Sequence, residues 1–409
     1  MNMTKHYEYL YDRPTYVYDL DLVTESVDAL RKALPLGTSL YYSLKANPHP
    51  DIIKTVSELD CLVEVSSTGE LASAILAGVD AGDCLYSGPG KSNRDISAAI
   101  SAGVGVYSVE SLQELDRLAA LAAATGVCVA IILRVNPTRS TGAGGLHMTG
   151  TATQFGIDES QITRAFSLAA QYGSVELRGL HFFSMTNART EESLILEMRN
   201  NIRAAARILA QHKFEPAMLD LGGGFAAPYA VPGQRIEYRH LRDSIEQELD
   251  VNLPWWRLKP HVLAFESGRY LVATCGDLYC QVLDVKISMG KKFVVVDAGL
   301  QCIGGVSGTG RLLPMTVRPL LPLEGRLLTN VDIVGPLCTP IDVLARAVDM
   351  PDLHPGDRVV IPNVGAYGAT ASLIAFLSRR PPVEVAIRAG VEVSASELEV
   401  RRVPVTPPG

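Results

Sequence analysis

Residues 39–78 read SLYYSLKANPHPDIIKTVSELDCLVEVSSTGELASAILAG, and this stretch decides the fold. An apolar run, SLYYSLK (39–45), passes into a helical stretch. A second run, CLVEVS (61–66), follows with its own helical stretch, TGELASAILAG (68–78). Alternation of short strands with helices of this length pairs the strands in parallel. Further along, CLYSG (84–88), VGVYSV (104–109), CVAIILRVN (128–136), VELRGLHFF (175–183), AMLDL (217–221) and HVLAFES (261–267) bring the set to eight. Each of the first seven runs is followed by helical residues, such as LQELDRLAALAAA or LEMRNNIRAAARILA. Eight parallel strands with intervening helices predict a (β/α)8 TIM barrel over residues 26–267. A doubly wound open sheet would have to end or reverse after five or six strands, and no GxGxxG opens the first unit.

Beyond residue 268 the texture changes. YLVATC, LYCQVLDVKI, KFVVVDAG, LLTNVDIVG, DRVVIPNVG and PVEVAIRAGVEV follow one another closely with turn residues between them, which predicts a β-rich second domain over 268–409. The opening run PTYVYDLD is also strand-like, so residues 1–25 are expected to pack on that second domain.

With 47% hydrophobic and 20% charged residues in 409, the chain has ample material for two soluble cores. A net charge of −7 gives no basic footprint for nucleic acid, and no apolar stretch is long enough to span a bilayer. Small soluble ligands are the expected partners. The start, MNMTKHYEYLYDRPTY, has no apolar centre of the signal-peptide kind, so the expected location is the cytoplasm. The seven cysteines have neither CxxC pairing nor metal-ligand spacing, and no metal site is expected.

The chemistry gathers where barrels of this kind place it, at the C-terminal ends of the strands. Lys45 closes the first run, where an amine can form a Schiff base, although a salt-bridged lysine at a strand end reads equally well there. The seventh run ends LDLGGGF, where Gly222, Gly223 and Gly224 leave backbone amides open to an anion. The eighth ends FESGRY, adding Glu266, Gly268 and Arg269 beside them. Phosphate is commonly bound after strands seven and eight of such barrels. An amine, a phosphate cradle and a carboxylate for a ring nitrogen are what pyridoxal 5'-phosphate requires, with the ring serving as electron sink.

The chain resembles the fold-type III pyridoxal-phosphate decarboxylases, the family of diaminopimelate, ornithine and arginine decarboxylases. The resemblance rests on YYSLKAN, EVSSTGEL, RVNP, QFGID, LDLGGGF, ESGRYLV, VVVDAG, GPLC and GAYG, in order along nearly the whole chain. It implies that Lys45 holds the cofactor covalently, that Gly223, Gly224, Arg269 and Tyr367 bind phosphate, and that Glu266 faces the pyridine nitrogen. Glu64 and Arg134 join the cofactor contacts. Cys338 of GPLC would reach the site of a neighbouring subunit and protonate Cα, which implies a homodimer with shared active sites. Outside that context Cys338 reads as a small core residue.

The chain also departs from the family. GLHFFSMTN puts Phe183 where a histidine usually stacks on the ring, so Phe183 is the expected ring contact. His181, two positions away on the same strand face, is not a clean substitute. Thr339 follows Cys338 where an acidic residue would hold a distal ammonium, and no RPxxY follows VVVDAG. The segments SGTGR and GPLCTPIDVLA resemble the branch that serves antibiotic or siderophore assembly, where the distal end of a diamino acid is acylated, citryl-conjugated or carrier-bound. Arg311 and Asp342 could contact such a substrate, yet each equally reads as solvated or ion-paired. Residues 138–154, rich in Gly and Thr, read as a cover for the site or as an ordinary surface loop. The rival readings are diaminopimelate decarboxylase, an amino-acid racemase, which would want arginine at the ring nitrogen, and an inactive regulatory homologue.

Overall fold

Hydroxyl side chains start the connecting helices. Ser67 accepts from the Glu70 amide at the head of Thr68–Leu76, Ser111 accepts from the Glu114 amide at the head of Leu112–Thr125, and Ser92 and Asp95 form a reciprocal capping box at Asn93–Ala102. Left-handed Gly103 and Gly126 end two of these helices. The computed structural model describes residues 11–137, 146–147, 152–304, 315–320 and 327–405. Arg311, the SGTGR segment and most of 138–154 lie outside the described residues. No described helix is long and apolar enough to cross a membrane.

The chain divides into two units. One comprises residues 23–227 and 235–271; the other comprises residues 1–22, 228–234 and 272–409. The first strand, β1 (Thr15–Asp19), belongs to the second of these. The next eight build a barrel: β2 (Ser39–Ser43), β3 (Leu62–Val65), β4 (Cys84–Tyr86), β5 (Val106–Val109), β6 (Val129–Asn136), β7 (Val175–His181), β8 (Met218–Asp220) and β9 (Leu263–Ser267). All eight pair in parallel with their neighbours in chain order, and β9 returns to pair with β2, so the sheet is closed.

The barrel interior is built in tiers. Tyr41, Leu85, Ile132 and Met218, from alternate strands, form one buried cluster with Ala264, and Leu62 and Val106 pack against it. Gly179 completes this level, because a Cβ there would run into the carbonyl of Met218. Strand side chains repeat with period two, so the tier above consists of Ser43, Glu64, Ser87, Ser108, Arg134, His181, Asp220 and Glu266. Every member of this upper tier is polar and buried. Register thus converts an apolar plug into a polar floor at the C-terminal mouth.

The second unit is a sheet ordered β13-β12-β11-β10-β1-β15-β16, where β10 is Gly276–Ser288, β11 Lys291–Val296, β12 Leu327–Val334, β13 Val343–Pro351, β15 Val383–Arg388 and β16 Val391–Glu397. Off this path, β14 (Arg358–Ile361) pairs with β10 and with a two-residue strand at Arg318–Pro319. The N-terminal strand lies in the middle of this sheet, antiparallel to β10 and parallel to β15. Val17, Tyr279, Leu320, Val360, Val383, Val385 and Ile387 make its buried core.

Candidate active site

Strand β2 ends at Ser43, and a single 3-10 turn, Leu44–Ala46, presents Lys45. Its Nζ lies 2.9 and 2.8 Å from the two carboxylate oxygens of Glu64 on the neighbouring strand. Ser87 also donates to Glu64, and Ser66 does so at 3.3 Å. Burial pushes the Glu64 carboxyl up, but the Lys45 charge and hydrogen bonds from Lys45, Ser43 and Ser87 overcome it and bring the group down to about 2.

Arg134 enters from β6 and pairs with Glu110 at 2.7 Å; Glu110 also accepts from the amides of Gly88 and Gly156. The guanidinium stands 4.9 Å from the ring centre of Phe155 and 5.6 Å from that of Phe183, and Lys45 Nζ stands 5.8 Å from the latter. Half-buried Phe183 therefore presents an aromatic face between two cations.

After β8 the chain turns through Gly222, with φ +75°, and Gly224, with φ +101°. A Cβ on Gly222 would collide with the Phe182 carbonyl, and one on Gly223 with the Glu266 carbonyl. The loop thus lies flat against β9; the Gly222 amide donates to Asp220 at 2.8 Å. Gly268 packs equally close to the Lys45 turn, where its Cβ would sit 2.9 Å from that of Ala46. Half-buried Arg269 begins the next short helix.

Lys45, Glu64, Arg134, Phe183, Gly222, Gly223, Gly224, Glu266, Gly268 and Arg269 therefore all belong to the barrel unit and its C-terminal mouth. Cys338, Thr339, Asp342 and Tyr367 belong to the other unit. There Cys338 is exposed and Thr339 half-buried. Tyr367 has φ +53°, and its carbonyl accepts from the Tyr229 hydroxyl at 3.1 Å. Asp342 corrects the expectation of a substrate contact. It is 2% exposed, accepts at 2.8 Å from each of the Leu300 and Leu337 amides, and fills the space a Cβ on Gly299 or Gly335 would need. Its carboxylate fastens the GPLC turn.

Reading from sequence missed Ser43, Ser87, Ser108, Glu110 and Asp220, and set His181 aside. The signal was there: each of the eight runs carries a polar residue two positions beyond an apolar or glycine residue of the lower tier. Donor atoms of His181, Asp220 and Glu266 lie within 4.8 Å of one another, all buried. Glu266 Oε1, Asp220 Oδ2 and His181 Nε2 have no hydrogen-bond partner among the described residues. Burial, then Glu64 and Asp220, raise Glu266 well above the usual carboxylate range. Burial likewise raises Asp220 to about 7, against the Gly222 amide. Such a set would also suit a small cation. The facing charges of Lys45 and Arg134, the aromatic face and the flat glycine loop fit a phosphorylated pyridine better: an amine for an aldehyde, open amides for a phosphate, and an orphaned buried carboxyl for a basic ring nitrogen.

The comparisons agree. Residues 20–273 match the family model described as the pyridoxal-binding domain of pyridoxal-dependent decarboxylases. The chain is 32% identical over 397 residues to the L-glutamyl-[BtrI acyl-carrier protein] decarboxylase of Niallia circulans, covering 95% of this chain and 91% of that protein. It is 30% identical over 373 residues to the 2-[(L-alanin-3-ylcarbamoyl)methyl]-2-hydroxybutanedioate decarboxylase of Staphylococcus aureus, covering 90% and 92%. The structure of diaminopimelate decarboxylase from Helicobacter pylori with L-lysine superposes with a TM-score of 0.83 at 26% identity, covering 96% of this chain and 95% of that one. The chain belongs to the fold-type III family of pyridoxal-phosphate-dependent decarboxylases.

Proposed function

We propose that the enzyme removes the α-carboxylate of an amino acid whose distal end is masked, by acylation, by citryl-type conjugation or by attachment to a carrier protein, in siderophore or antibiotic assembly. The observation that carries this reading is Thr339. It follows exposed Cys338 directly, is half-buried, and offers a hydroxyl but no charge to the far end of a substrate. A free distal ammonium would forgo a charge-assisted hydrogen bond of about 1.5–3 kcal/mol there. The two relatives named for a carrier-bound and a conjugated substrate support the same choice.

Pyridoxal phosphate, when bound, supplies the electron sink for the pair left at Cα as carbon dioxide departs. The residues do the rest. Lys45 would hold the cofactor through its aldehyde, and Glu64, whose carboxylate lies 2.8 Å from Nζ, would orient that side chain. Gly223 and Gly224 would offer backbone amides to the phosphate, with the Gly222 amide held by Asp220 at 2.8 Å, and Arg269 and Tyr367 would add side chains. Glu266 would pair with the ring nitrogen and balance a positive charge there. Phe183 would cover one ring face, and Arg134 stands 5.6 Å from the Phe183 ring centre. Cys338 Sγ, arriving from a second subunit of a homodimer, delivers the proton to Cα.

The test is carbon dioxide release by the loaded enzyme from diaminopimelate, ornithine, lysine, arginine and distally acylated, citryl-conjugated or carrier-bound amino acids, with Lys45→Ala as control. Turnover confined to the masked substrates is the expected result. Preference for free diaminopimelate or ornithine would refute the substrate assignment and leave the decarboxylase standing.

A further inference from the structure

His181 of the upper tier is a titratable group that the proposed chemistry does not use. His181 is buried on β7, with Nδ1 2.8 Å from the hydroxyl of Ser108 on β5 and Nε2 3.4 Å from Glu266 Oε1 on β9. Glu266 Oε1 and His181 Nε2 are both buried without another hydrogen-bond partner, so each has a strong reason to turn to the other. Three alternate barrel strands thus carry Ser108, His181 and Glu266 in one line across the floor.

We propose that Ser108 and His181 are positioning residues for Glu266: an Nε2–H donor to Oε1 fixes the orientation in which the carboxylate meets the cofactor's ring nitrogen. This rests on the reading that Glu266 faces that nitrogen.

The chemistry follows from what each group can donate. Facing a charged ring nitrogen Glu266 is a carboxylate, which only accepts, so in that state the contact needs the proton on Nε2. A neutral imidazole has one N–H, and Nδ1 must then accept, which the Ser108 hydroxyl allows by donating to it. Burial, with Arg134, Lys45 and Lys91 opposing a further positive charge, keeps His181 well below its usual range and therefore neutral. A neutral donor orients the carboxylate without competing with the ring nitrogen as a counter-charge. Asp220, bonded to the Gly222 amide at 2.8 Å, flanks the same carboxyl from β8. Fixing one oxygen of a ligating carboxylate from behind is the logic by which outer groups orient metal ligands.

The test compares two cofactors in binding to the apoenzyme: pyridoxal phosphate and its carba analogue, in which C–H replaces the ring nitrogen. Only the first can use Glu266. The quantity read is the ratio of the two dissociation constants, obtained by absorbance titration. His181→Leu is expected to cut the preference for pyridoxal phosphate by about tenfold, the worth of a hydrogen bond to a charged group. His181→Gln, whose amide nitrogen can reach the place of Nε2, should keep it within about threefold of wild type. Ser108→Ala should lower it in the same direction and removes too little volume to threaten folding. Equal weakening of both cofactors in His181→Leu, or an unchanged ratio in soluble Ser108→Ala, would overturn the proposal. Glu266→Gln separates the two levels. If it lowers the ratio while the Ser108 and His181 variants do not, only the positioning role fails. If it leaves the ratio unchanged, the assignment of Glu266 to the ring nitrogen fails with it.

Discussion

Removing the charge of Lys45 while keeping its stem, by Lys45→Met, should destabilise the apoenzyme through Glu64. The two partners are unequal: the Glu64 side chain is 1% exposed and that of Lys45 39%. A lysine without its partner can reach water, whereas a buried carboxylate cannot. Glu64 is lowered from an ordinary 4.5 to about 2. At about 1.36 kcal/mol per pH unit this corresponds to about 3 kcal/mol of stability, reduced to about 2 because water screens the half-open lysine. A folded-state value below the unfolded one means that this stability is complete above about pH 4.5 and is lost as pH falls toward 2. In the variant, burial, the largest effect on Glu64, is opposed only by hydrogen bonds from the serines and raises the group, so its penalty is largest at neutral pH and is relieved on acidification. The expected loss at pH 7 is therefore about 2–4 kcal/mol, shrinking as pH drops toward 4. Both tryptophans, Trp255 and Trp256, lie in the barrel unit, so their fluorescence during urea unfolding reads the right part of the molecule. Adding Glu64→Gln should restore much of the loss at pH 7, since it removes the stranded charge. A double variant no more stable than Lys45→Met, or a loss that does not change between pH 7 and pH 4, would refute the reasoning.

Three further outcomes are expected. Gly222→Ala asks a residue at φ +75° to fit a Cβ into the Phe182 carbonyl, so it should cost about 2 kcal/mol and weaken pyridoxal phosphate binding more than about tenfold in an absorbance titration. Thr339→Asp should raise kcat/KM for free diamino acids relative to masked ones by about 10–100-fold, the equivalent of one charge-assisted contact; a ratio unchanged within about twofold would show that Thr339 does not meet the distal end. Asp342→Ala leaves the Leu300 and Leu337 amides without acceptors, which should cost about 2–4 kcal/mol and speed hydrogen exchange in residues 335–342. Unaltered exchange there would show that the carboxylate does not fasten the turn.

The barrel could be read from sequence because each strand run is apolar on both faces and ends in punctuation. That same property concealed much of the site. Within CVAIILRVN, Ile131 and Ile132 are both fully buried, so hydrophobicity does not say which one points into the barrel and whether Arg134 follows it there. Pairing register settles it, and register is a property of eight strands together. Lys45 and Glu266 stood out because they break apolar runs, and the glycines because three together serve few purposes. Ser108 and His181 looked like ordinary strand residues until their strands were placed two apart around the ring. Asp342 misled for a related reason: two backbone amides claim its carboxylate, and nothing in PIDVLA shows where those amides lie. Residues 228–234, which join the second unit from within the barrel's seventh connection, carry no compositional mark of doing so.

The charge balance of the upper tier suits the cofactor contacts proposed for it. Glu64, Asp220 and Glu266 face two cations, Lys45 and Arg134, and each cation is already engaged at 2.9 Å or less with a carboxylate, Glu64 or Glu110. Asp220 and Glu266 are left to share a buried site with a neutral imidazole, and both hold their protons more tightly than an exposed acid would. A sugar phosphate could use the glycine amides but would leave that pair as it is. A pyridine brings a nitrogen that takes a positive charge, so Glu266 can ionise in place while the charge it balances sits on the ring. If Glu266 faces the ring nitrogen as proposed, the acidity that burial suppresses in it would become basicity directed there, where a decarboxylase needs the positive charge held as carbon dioxide leaves.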